Sequence, residues 1–148
     1  MLQRWLKRDS GLRRLVLTDR DSAVLFQVAK EFPNVPDVVR LNSLALVTRM
    51  LLSFREVQEH LAQNAAVREF VFERGGSITE IRPMEGDLQG IALVMPRRLA
   101  ASLALGCDVV VGQLKEYELR RRTGCSVADV DALVDRIKIA TERRQAPG

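Results

Sequence analysis

Aromatic residues are scarce in this chain. They fill 5% of 148 positions, with one tryptophan, Trp5, and one tyrosine, Tyr117. A chain short of rings but rich in Leu, Val, Ala and Arg suits helices better than a large sheet. Histidine and cysteine are scarcer still. His60, Cys107 and Cys125 are the whole supply, fewer than the four Cys or His ligands that a structural zinc site normally wants, so no metal is expected. The two Cys stand 18 positions apart with no C-x-x-C pair, which suggests neither a redox motif nor a disulfide framework. They read as small core residues of a chain in a reducing cytoplasm. Gly and Pro number only 9 and 5, too few for wholesale disorder. No apolar run approaches the ~20 residues that span a bilayer. Met1 to Arg14 carries isolated apolar residues between Arg4, Lys7, Arg8, Arg13 and Arg14, without the apolar stretch of a signal peptide.

Catalytic patterns are missing too. The sequence holds no G-x-S-x-G, no P-loop and no G-x-G-x-x-G. Gly75-Gly76 is a turn signal, since no strand, loop and Lys-bearing helix surround it. His60 sits in a helical pattern between Glu59 and Leu61, where a histidine is more often packed or solvated than a general base. No nucleophile, base, metal ligand or cofactor cradle can be named, and a non-enzymatic protein is expected.

What is present is helical periodicity and unevenly placed charge. A short helix with Leu2, Trp5 and Leu6 on one face is expected over Leu2–Arg8, broken by Asp9-Ser10-Gly11. Thr18 or Asp19 can cap a second helix running to about Phe32, where Pro33 and Pro36 stop it. Asp37 suits the N-cap of a third. Its apolar stripe Val38, Leu41, Leu44, Val47, Met50 and Leu51 is the clearest in the chain. Ser53-Phe54-Arg55-Glu56 is a capping-box pattern that would restart a helix over Phe54–Ala66. Residues 68–82 allow two readings. Phe70-Val71-Phe72 before Gly75-Gly76 suggests a β-hairpin, while Ser77-Ile78-Thr79-Glu80 is another capping box. Gly86 and Gly90 mark loops, and Gly90–Met95 reads as a strand or a buried turn. Pro96 fits the first position of a helix that Gly106 would end, Asp108 opens another through Arg122, and Ser126 caps a last one to about Arg144.

The expected fold is therefore mostly α: one helical domain over 1–144, with core and dimerisation helices in 1–95, C-terminal helices in 96–144, a possible short hairpin near 68–82 and a loose tail at 145–148. The near all-round apolarity of Leu44 to Leu52 suggests burial between chains and at least a dimer.

The net charge is +4, concentrated in two basic islands. Residues 1–20 carry net +4 and residues 96–122 net +3, against net −3 for 21–95. Arg120-Arg121-Arg122, Thr123-Gly124-Cys125 and the following helix have the outline of a helix-turn-helix. The helix after the turn holds Asp129, Asp131 and Asp135, which phosphate would repel, so the arginines before it are the better DNA contacts. A short link at Gly106-Cys107-Asp108 would fold two helices antiparallel. Arg97, Arg98, Lys115, Arg120, Arg121 and Arg122 would then share one positive, DNA-binding face.

Three stretches carry a family resemblance. Asp19-Arg20-Asp21-Ser22-Ala23-Val24-Leu25-Phe26, then Leu61-Ala62-Gln63-Asn64-Ala65-Ala66-Val67-Arg68-Glu69-Phe70-Val71-Phe72, then Ile78-Thr79-Glu80-Ile81 with Asp87-Leu88-Gln89-Gly90-Ile91 resemble segments of the flagellar transcriptional activator FlhD family, within Leu15–Met95. The spacing between the first two is longer here, and Arg68 stands where many members have a Cys. The resemblance implies a helical homodimer that joins a zinc-binding FlhC-like partner subunit, binds promoter DNA and activates transcription. The alternative is a helical interaction protein that does not touch DNA: an adaptor, a chaperone or a subunit of a larger assembly.

Overall fold

A four-stranded sheet lies under a layer of helices. The structure, a computed structural model, describes residues 11–64, 66–83 and 90–142. The helix expected over Leu2–Arg8, the loop at Gly86 and the tail at 145–148 fall outside them. In chain order the elements are β1 (Leu12–Leu17), α1 (Asp19–Ala29), a 3-10 turn (Phe32–Asn34), α2 (Pro36–Asn42), α3 (Leu44–Gln63), β2 (Val67–Phe72), β3 (Ile78–Pro83), β4 (Ile91–Pro96), α4 (Arg97–Thr123) and α5 (Val127–Glu142). The fold is mostly α with some β, and α4 and α5 form a C-terminal helix pair.

The sheet runs β1-β4-β2-β3. β1 pairs antiparallel with β4, β2 parallel with β4, and β2 antiparallel with β3. The hairpin reading of 68–82 is the correct one, and Gly90–Met95 leads into a central strand. Alternation sends Leu15, Leu17, Phe70, Phe72, Ile91, Leu93 and Met95 to the helical side, where all are buried. A register shift at Val71/Phe72 keeps Ile78 opposite Phe72 while Ile81 stays opposite Phe70. That bulge is why these two isoleucines, three apart, share a face. On the other side Glu69 accepts hydrogen bonds from Arg14 at 3.0 Å and Arg82 at 2.7 Å. Burial favours the neutral acid at Glu69, but those two bonds outweigh it and hold the carboxyl below its ordinary range.

Thr18 caps α1 with both arms of a capping box: its Oγ1 accepts from the Asp21 N–H, and its own N–H donates to Asp21 Oδ2. The helix stops at Ala29, earlier than expected, because the chain tightens into the 3-10 turn around Pro33. α2 opens on Pro36 rather than after Asp37. Proline fits a first helical position, and Asp37 instead pairs with Arg40 and Gln113. The stripe through Val38 and Leu51 is cut at Ser43, whose φ is +68° and whose Oγ caps α3 by accepting from the Leu46 N–H. No restart occurs at Ser53. It lies inside α3, and its hydroxyl donates to the Gly76 carbonyl, tying the β2–β3 turn onto the helix.

The two helices expected to join at Gly106-Cys107-Asp108 join instead at a kink at Lys115, and the helix is continuous at Gly106. α4 runs through it, because Gly106 meets the ring of Phe32 and needs its missing Cβ there, not at a cap. The non-helical residue in α4 is Lys115, with φ +61° and ψ −177°. Gly124, at φ +75°, ends α4 and Ser126 starts α5 as anticipated. One core gathers residues from Leu15 to Ile137. The inner face of α1, with Val24, Leu25, Phe26, Val28 and Ala29, is covered within the chain itself.

Candidate nucleic-acid interface

The six expected DNA contacts divide into separate groups. Arg97 and Arg98 form the first turn of α4, where the Arg97 N–H donates to the Gly11 carbonyl at 2.8 Å. Both side chains are exposed, and neither makes an ion pair among the described residues. They line one end of a groove of about 530 Å³ between α4 and the last turns of α5, with Ala101, Ala104, Leu105 and Thr141. Lys138 and Asp108 face each other across it at 3.3 Å. Arg13 fastens this end of the molecule by donating to the Thr141 carbonyl at 2.9 Å.

Lys115 stands roughly 27 Å further along α4, at 1.5 Å per residue. Its backbone lies in a region that only glycine occupies at ease.

Arg120, Arg121 and Arg122 close α4, and each is held by a carboxylate. Arg120 pairs with Glu116 at 3.2 Å, Arg121 with Glu118 at 2.8 Å, and Arg122 with both Glu118 and Glu31 at 3.2 Å. The bond from Arg121 holds the Glu118 carboxyl below the usual range. Three cations against three carboxylates leave this helix end without net charge. Exposed pairs are worth about 0.2–1 kcal/mol each, so phosphate can compete for the guanidiniums, but no surplus charge draws it in.

The helix is continuous at Gly106 and breaks at Lys115, which separates the groups, because about 27 Å of helix lies between Arg97 and the kink and only eight residues of α4 follow it. Without a hairpin at Gly106 the start of α4 does not return to its end, and the single six-cation face is not formed. The helix after the Gly124 turn is tied to the rest of the chain. Asp129 accepts from Arg20 at 2.8 Å and from the Ser126 N–H at 3.0 Å, and its carboxyl sits at about 2. The Arg20 bond is the larger cause. Asp131 and Asp135 are exposed on the same helix, an unfavourable surface to lay on phosphate.

Other titratable groups have structural surroundings. His60 lies edge-on to Phe70 with ring centres 6.4 Å apart. Burial pushes the Cys107 thiol up to about 12. No cluster of three or more His, Cys, Asp or Glu residues suited to a metal ion occurs among the described residues. No helix among them is long and apolar enough to cross a membrane.

Sequence reasoning missed two surfaces. The Arg14–Glu69–Arg82 network on the open sheet face was hidden because β1 had no strand assignment, although Leu15 and Leu17 alternate with Arg14 and Val16. The second is a set of exposed leucines: Leu41 at 53%, Leu44 at 58% and Leu52 at 50% of full exposure. Their signal was the excess apolarity of the Leu44–Leu52 stretch. Compared with protein-family models, curated proteins and solved structures, the chain matches none.

Proposed function

We propose that this chain is a protein-interaction module, a subunit or adaptor of a larger assembly, and not a catalyst. The carrying observation is the exposure of Leu41, Leu44 and Leu52 along α2 and α3. Isolated exposed leucines are ordinary, but three within twelve residues of two consecutive helices form a surface that a partner can dry. The neutralised arginine triplet supports the same reading, since it removes the strongest basic motif from the set of free cations. Gel filtration of native extract tests it. The chain is expected to migrate well above its own mass, and the Leu44→Glu, Leu52→Glu double variant to shift toward the free chain. Wild-type migration at the mass of a single chain would sink the reading.

A second reading, a FlhD-like dimeric activator working with an FlhC-like zinc-binding subunit on promoter DNA, is favoured by Arg97, Arg98 and Lys115, which have no carboxylate partners among the described residues. It predicts DNA binding that weakens steeply with salt. Under this reading the Arg97→Ala, Arg98→Ala variant lowers the salt slope by about two units, one per phosphate contact.

A further inference from the structure

α3 turns a self-complementary face to solvent. Its buried side is Val47, Met50, Ser53, Phe54 and Val57. At 100° per residue the opposite side centres on Leu52, with Ala45, Thr48 and Glu59 in line above and below it. All four are exposed. Arg49 and Glu56 lie together on one flank of this line, seven positions apart and on either side of Leu52. Both are exposed, and neither makes an ion pair among the described residues; Arg55, on the opposite flank, is likewise exposed and unpaired there.

Two-fold symmetry decides what such a flank can meet. When two identical helices pack antiparallel about a two-fold axis, each flank faces the same flank of its mate, with positions before the centre opposite positions after it. An axis near Leu52 sets Leu52 against its symmetry mate. It also sets Arg49 of each chain beside Glu56 of the other, which makes two reciprocal ion pairs. Thr48 and Ala45 are small enough to let the helices approach. A parallel two-fold would instead bring each flank against the opposite one, which carries Thr48 and Arg55, and would not form the Arg49–Glu56 pairs.

We infer that the unpartnered face of α3 is a homodimer interface, occupied by α3 of a second copy running antiparallel, with Leu52 at the two-fold and Arg49–Glu56 pairs across it. The inference rests on the interaction-module reading and names its partner as this same chain. A Cβ on Gly76 would lie 3.4 Å from Arg49 Cγ, so the arginine stem packs beside the β2–β3 turn.

Sedimentation velocity of the purified full chain, from about 1 to 100 µM, tests it. Wild type is expected to be dimeric in this range. Arg49→Glu alone and Glu56→Arg alone should each weaken association about tenfold or more, because two attractive contacts become repulsive. The Arg49→Glu, Glu56→Arg double variant should recover most of the loss. Leu52→Glu should give a monomer with an unchanged circular dichroism spectrum, as Leu52 is half exposed in the single chain. A wild-type monomer at 100 µM would overturn the inference. So would a dimer indifferent to Leu52→Glu, or a double variant no better than the singles. A purified monomer that still runs in a large complex in native extract would overturn the self-pairing and leave the interaction-module reading standing.

Discussion

Gly106 lies against the ring of Phe32. A Cβ added to Gly106 would sit 2.7 Å from Phe32 Cζ, inside the van der Waals limit. Phe32 is fully buried and held by the 3-10 turn, so it has little room to retreat. Gly106→Ala gains up to about 1 kcal/mol of helix propensity. Overpacking of a tight core costs about 1–3 kcal/mol. The expected result is a net loss of about 1 kcal/mol in urea unfolding, and a gain in stability would show that Phe32 yields freely.

Gly112, in the same helix, has no heavy atom within 4 Å of its would-be Cβ. Gly112→Ala should raise stability by about 0.5–1 kcal/mol, since only the propensity and unfolded-state terms change. Opposite signs for two Gly→Ala changes in one helix make a sharp check of the packing of α4 on the 3-10 turn.

Lys115 adopts φ +61° and ψ −177°, a conformation that costs a non-glycine residue about 1–3 kcal/mol. Lys115→Gly relieves that strain but adds about 0.5–1 kcal/mol of unfolded-chain entropy. A net stabilisation of about 1 kcal/mol is expected, and Lys115→Ala should give none. If glycine proves no better than alanine at this position, α4 is continuous through it.

Acid unfolding should report on Asp129. Its carboxyl sits at about 2 in the folded chain against an ordinary 3.8, chiefly through the Arg20 bond and then through Ser126. A depressed folded value means stability that is present above about pH 4 and lost as pH falls toward 2. Asp129→Asn should therefore lower stability at neutral pH and flatten its pH dependence between 4 and 2. The full wild-type slope persisting in that window would mean that other carboxylates, such as Glu69, carry it.

Thiol labelling separates folded from unfolded chain. Cys107 is fully buried and its thiol is pushed up to about 12 by desolvation, so the reactive thiolate is both rare and shielded. Iodoacetamide at pH 8 should modify Cys107 only in denaturant. Rapid labelling under native conditions would show that α4 opens locally.

The helices with clean ends were determined by sequence. Thr18 with Asp21, Ser126 with Asp129, and Gly124 are local devices whose hydrogen bonds reach no further than a turn or two, so four to six residues suffice to specify them. The mostly helical class followed from composition for a similar reason, because propensity and periodicity act within a helix. Tertiary structure decided the rest. Ser53-Phe54-Arg55-Glu56 has the residues of a cap, but Ser53 faces Gly76, more than twenty positions away, and the helix continues through it. Gly106 looks like a helix end until Phe32 is placed against it. β1 has no turn or cap to announce it, and its alternation gains meaning only when Leu15 pairs with Leu93. The fate of the six basic residues was set at that same level. Whether Arg97 meets Arg122 depends on where the helix breaks, at Lys115 and not at Gly106, and whether Arg122 is free depends on Glu31, ninety-one residues earlier. Charge is written in the sequence, but its neutralisation is a property of what the fold brings near it.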